Sequence, residues 1–153
     1  MAPPAPKEKG FVLIAMSVAT LLLLAVLGMA FDFGRIYIAR NEAQVFTDAA
    51  AMTAAAKLNG SSEGLARAKA AVASLPMRWN LGTQPFSGVV IEFSADGSRW
   101  DTDPKEPAQL TMARVTAPAN SVDIVFLRAV GGPNRFTVPA RSVATANPVR
   151  LTE

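Results

Sequence analysis

The chain has 153 residues, half of them hydrophobic, and 15 Lys and Arg against 12 Asp and Glu give a formal charge of +3. It contains no histidine and no cysteine, which removes the commonest general base, the usual zinc ligands, thiol chemistry and disulfides. The basic residues are scattered rather than clustered, so nothing points to nucleic acid, and neither a cofactor nor a metal is expected.

Residues 1–10 begin MAPPAP, a proline-rich stretch expected to be a disordered leader, and continue through Lys7, Glu8 and Lys9 to Gly10. Residues 11–31 then read FVLIAMSVATLLLLAVLGMAF, without a charge or a proline. As a helix this run measures about 32 Å, enough to cross a hydrocarbon layer of about 30 Å. Two readings compete for it. Gly28-Met29-Ala30 has the small-x-small form of a secretory cleavage site. The run is longer than a usual signal core, however, and the helical pattern continues straight through the would-be cut. That continuity favours a retained anchor. Basic residues flank both ends (Lys7 and Lys9, Arg35 and Arg40), and the short leader favours an N-terminus inside the cell. Phe33 and Tyr37 stand where aromatic side chains settle at a membrane interface.

Residues 32–58 are predicted to carry the same helix out of the membrane. Ile36, Ala39, Ala43, Phe46, Ala50 and Thr53 recur at alternating steps of three and four, one narrow stripe on a helix. Its small residues allow close approach, so this is the predicted packing face, covered by the chain's own domain or by a neighbouring subunit. Gln44 and Asp48 are one turn apart, placed to bond to each other or to cap a neighbouring contact. Asn59-Gly60 ends the helix.

Residues 59–153 read as a small α+β domain. Ser61 or Ser62 caps a second helix with a stripe of Leu65, Ala68, Val72 and Leu75, stopped by Pro76. Trp79 anchors the connector that follows. Residues 87–95 alternate as a strand with Val89, Ile91 and Phe93 on one face. Asp96-Gly97 is the strongest hairpin signal in the chain, with a return strand from Ser98 to Asp101. A third strand is expected over 110–117, with Ala113 and Val115 inward. Residues 122–130 suit either a strand or a short helix burying Ile124, Phe126 and Leu127. A last strand over 136–146 would turn Phe136, Val138, Ala140 and Ala144 inward, and Pro139 confines it to an edge. The tail from Asn147 should be loose. The fold class is thus α+β: a long N-terminal transmembrane and amphipathic helix packed on a small antiparallel sheet, with a second short helix.

The residues from Gly10 through Ala51 carry a resemblance. A basic-Gly start, an apolar run, Asp32, Gly34, Arg35 and Tyr37 in the order Asp-x-Gly-Arg-x-Tyr, then Gln44 and Asp48-Ala49-Ala50-Ala51 are similar to the N-terminal module of TadE/TadG-like proteins of the tight-adherence (Flp) pilus system. Gly97, Trp100-Asp101, Ala113 to Ala117 and the alanine-spaced last strand also look similar. The resemblance implies a pilin-like fold and a single-pass protein of the bacterial inner membrane. Its N-terminus would be cytoplasmic and its C-terminal domain periplasmic or extracellular. It implies as partners the membrane and other pilus or secretion-system subunits, with self-association allowed for. It also makes Gly10 and Phe11 a candidate processing site. In processed prepilin-like members a Glu stands at the fifth mature position, and here Ala15 stands there. Larger members carry a further adhesion-type domain, for which this chain is too short.

These residues leave three functions open. One is a non-enzymatic membrane-anchored pilin-like subunit or assembly factor. Another is a secreted or anchored ligand- or surface-binding module using the 101–107 loop and the tryptophans, against which both tryptophans filling the core is preferred. The last is an enzyme or cation site built on Asp96, Asp101 and Asp103, whose spacing matches no known loop, so that turn and loop roles are preferred.

Overall fold

A computed structural model describes residues 8–118 and 120–146. Most of the predicted leader and the predicted loose tail lie outside the described residues. The described chain starts in α1, an unbroken 48-residue helix from Glu8 to Ala55. No proline interrupts it, and its alanine-rich second half is made of the best helix former. The helix ends at Ala55, slightly before the predicted Leu58. A tightened last turn follows, with the Lys57 and Leu58 N–H groups donating to Ala54 and Ala55 carbonyls. Gly60 then takes the left-handed conformation (φ 78°) that lets the chain reverse.

Helix α2 (Ser62–Ala73) starts at Ser61, whose hydroxyl accepts the Gly64 N–H at 3.0 Å. Its Leu65, Ala68 and Val72 are buried against α1. Among the described residues seven short strands follow in three antiparallel pieces: β1 (Arg78–Trp79) with β2 (Gln84–Pro85); β3 (Val90–Ser94), β4 (Met112–Ala117) and β7 (Ala140–Thr145) in the order β3-β4-β7; and β5 (Ser121–Asp123) with β6 (Arg135–Thr137). The α+β class is therefore the one observed, with the sheet divided rather than continuous.

The departures from the sequence reading have local causes. The Asp96-Gly97 turn forms, but the return strand shrinks to one bridge between Phe93 and Asp101. The Asp96 carboxylate accepts the Ser98 N–H, the Ser98 hydroxyl and the Arg99 N–H, which curls the backbone away from a ladder. β3 pairs with β4 instead, in the register Phe93 to Ala113 and Glu92 to Arg114. Residues 122–130 are both things in turn: β5, then a 3₁₀ turn over Leu127–Val130. The last strand breaks at Val138-Pro139 into β6 and β7, because proline has no N–H for the ladder. β7 lies at a sheet edge, and Phe136, expected inward, is 48% exposed.

Two apolar clusters hold these pieces on α1. The larger joins Phe46, Ala50, Ala51, Ala54 and Ala55 to the α2 stripe and to Phe93, Ala113, Val115 and Ala117. The other gathers Ala39, Trp79, Val122 and Val138. Phe86 bridges them, stacked on Phe46 at 4.0 Å and beside Trp79 at 6.1 Å between ring centres. The two tryptophans part company: Trp79 is core, whereas Trp100 is half-buried under the Arg114 guanidinium, 4.3 Å from its ring centre.

Candidate functional site

The chemistry of this molecule is concentrated where α1 meets the domain. Alanine at 39, 43, 50, 51 and 54 leaves room for strands to lie directly against the helix, and each is buried. Of the predicted packing stripe, Ala39, Ala43, Phe46 and Ala50 are buried, and Ile36 and Thr53 are half-buried. Strands β4 and β7 and helix α2 cover this side, so the chain's own domain occupies it. Thr47, Ala51, Ala54 and Ala55 widen the covered face beyond that stripe.

Polar residues fix the register of this contact. Gln44 Nε2 donates to Asp48 Oδ1 at 3.0 Å and to Ser142 Oγ at 3.0 Å. Ser142 Oγ donates to Asp48, and Thr47 Oγ1 lies 2.8 Å from the same hydroxyl. Gln44 and Asp48 thus act on each other and on β7 together. Ser142, which completes the group, carries no signal in the sequence beyond its position on a strand. Lower on the helix, the buried Asp32 accepts N–H groups from Val125 (3.1 Å), Phe126 (2.8 Å) and Leu127 (2.7 Å). Three donors on two oxygens is the pattern an ionised carboxylate satisfies. Arg35 Nη1 donates to the Asp123 carbonyl at 3.1 Å, while the Asp123 carboxylate receives Arg135 Nε at 2.8 Å. Asp32 and Arg35 therefore clasp one segment, 123–127, to the helix. Higher up, Glu42 accepts the Leu81 N–H at 3.1 Å, tying the β1–β2 turn to α1.

Other residues singled out in the sequence stand apart from these contacts. Gly34 has open space where a side chain would project, and Tyr37 is exposed. Gly10 and Phe11 lie within α1 on its open surface. The loop aspartates are engaged locally: Asp96 with Ser98 and Arg99, Asp101 with the Asp103 N–H, and Asp103 with Lys69 at 2.9 Å. The Ser98 hydroxyl and N–H, with the Arg99 N–H, hold the Asp96 carboxyl down to about 2. Among the described residues no group of three or more His, Cys, Asp or Glu is arranged to hold a metal. A cleft of about 320 Å³ lies between α2 and the β2–β3 segment, lined by uncharged residues that include Phe46, Val72, Leu75, Met77, Phe86 and Ile91.

The Tad family model, described as Flp pilus-assembly TadE/G-like, matches residues 10–57. The matched stretch lies almost wholly on α1 and includes Asp32, Arg35, Gln44 and Asp48. The domain beyond residue 57, including Gly97, Trp100 and the last strand, lies outside the match. No curated protein and no solved structure gave a match.

Proposed function

We propose that this chain, with its TadE/G-like helix, is a non-enzymatic, membrane-anchored, pilin-like subunit or assembly factor of a Tad/Flp-type pilus or secretion system. It would cross the bacterial inner membrane once through residues 11–31, N-terminus in the cytoplasm and domain on the other side.

The observation that carries this reading is the two-sidedness of α1. From Gly28 upward one side is covered by the chain's own domain. The other side is open, and apolar residues continue on it past the membrane run: Ile38, Val45 and Met52 are all exposed, at heptad spacing. A helix that needed only an anchor and a core face would be polar there. An open apolar stripe rising from the bilayer suits packing against other helices of an assembly. The continuity of α1 through Gly28–Ala30 supports a retained anchor, because cleavage there would remove a residue that the domain covers.

The test uses Ile38→Asp and Val45→Asp in the full chain, expressed in cells that build the pilus. Both sites are exposed, so folding and membrane insertion should persist. Crosslinking to, and co-purification with, other assembly proteins should fall, and surface appendages should be lost. Unchanged partners and appendages in both variants would overturn the assembly role.

A further inference from the structure

The turn over residues 124–132 packs on the lower part of the described domain side of α1. Phe126 sits on Gly28 so closely that a Cβ at Gly28 would fall 2.7 Å from the Phe126 Cβ and ring. The same ring stands edge-on to Phe31, 5.6 Å between centres. Gly28 and Phe31 both belong to the apolar run, and Gly28 lies about 6 Å, one helical turn, below Asp32. Wherever the run enters lipid, this turn is carried down beside its last turn.

The side chains the turn shows to its surroundings are apolar. Val125 is 46%, Phe126 45% and Val130 64% exposed, and Arg128 is the one charged residue between Ile124 and Asn134. Arginine at such a site can keep its stem among apolar groups and extend its guanidinium to lipid phosphates. The nearest charges on the helix and on β5–β6 lie on the domain side of the turn: Asp32 bound to its backbone, Arg35 on the Asp123 carbonyl, and the Asp123–Arg135 pair.

Most of the N–H groups of this turn are taken up within the protein. Unpaired N–H groups are costly near hydrocarbon, and irregular backbone is tolerated there only when they are satisfied internally. Asp32 takes those of Val125, Phe126 and Leu127. The Ile124 N–H goes to Asn134, and those of Ala129, Gly131 and Gly132 go to carbonyls within the turn.

We infer that residues 125–130 form a second membrane contact, a wedge seated at the acyl–headgroup boundary of the leaflet facing the domain. This rests on the reading that α1 spans a bilayer, and its occupant is lipid because the turn is continuous with the lipid-facing run. The wedge fixes the depth and tilt of the domain, which would otherwise ride on the helix alone.

Because the chain has no cysteine, single cysteines can report depth. Leu23→Cys, Val130→Cys and Lys105→Cys, each in the full chain, would carry an environment-sensitive fluorophore in vesicles of phosphatidylethanolamine and phosphatidylglycerol. Quenching by doxyl groups on the acyl chains, and by aqueous iodide, is then read. The expected result is strong doxyl quenching at Leu23 and Val130 and iodide quenching alone at Lys105. Doxyl quenching at Leu23, with Val130 behaving like Lys105, would overturn the wedge and leave the anchor standing. A Val130 probe shielded from both quenchers would also overturn it, pointing to a protein cover such as a second copy. Absence of doxyl quenching at Leu23 would remove the anchor and the wedge together.

Discussion

Asp32 and Leu127 stand 95 positions apart in the chain, and Asp32 Oδ2 accepts the Leu127 N–H at 2.7 Å. With the Val125 and Phe126 N–H groups on the same carboxylate, one side chain fixes the start of a turn that packs on the apolar end of the helix. Asp32→Asn replaces one acceptor oxygen with a donor and cannot satisfy all three groups. Amide hydrogen exchange at residues 125–127 should quicken by on the order of tenfold, while amides in the middle of α1 and in β4 keep their protection. Residue-resolved exchange on the full chain in nanodiscs measures this. Equal rates at 125–127 in the two proteins would mean that the carboxylate does not hold the turn.

Ala50 has no accessible surface and lies in the cluster formed with α2, Phe93 and Val115. Ala50→Leu adds side-chain volume where strands and helix already touch. Overpacking of this kind costs about 1–3 kcal/mol, so the melting transition followed by circular dichroism should move down. Val45→Leu, on the open side of the same helix, should stay within about 0.5 kcal/mol of the parent. Equal melting of the two variants would show that the alanine face is looser than its burial implies.

The helix was legible because its signals are local: an apolar run of membrane length, then a period of three and four. The register of Ala39, Ala43, Phe46 and Ala50 follows from that period alone. The width of the covered face did not, since Thr47, Ala51, Ala54 and Ala55 are buried by strands far away in sequence. Asp32 could be read as a motif residue but not as a cap, because its partners are backbone N–H groups some 90 residues on, which have no sequence signature. Ser142 was hidden for the same reason. Phe136 and Phe126 were misplaced by one rule, that large apolar side chains face inward. Phe126 instead covers Gly28 and Phe31 on the helix. The hairpin at Asp96-Gly97 misled because the turn signal was correct and the side-chain bonds of Asp96 then prevented the ladder from growing.

The outer face of the sheet offers a test by pH. Glu92 and Arg114 are paired across β3 and β4 by two bonds, at 2.8 and 2.7 Å, with both side chains largely buried. The bonds from Arg114 outweigh the cost of burial and hold the Glu92 carboxyl below the usual range. In the unfolded chain this group titrates at about 4.3. Between the lowered folded value and that one, the unfolded state binds more protons, so stability rises with pH. The contribution is therefore complete above pH of about 5 and is lost as the pH falls through the folded value. Glu92→Gln should lower the melting temperature at pH 7, and the gap between variant and parent should close on acidification. Asp96, held down to about 2, gives both proteins the same remaining acid limb and does not affect the gap. Melts at pH 7, 5, 4 and 3 measure it, and a gap that stays constant to pH 3 would show that the pair contributes packing rather than charge.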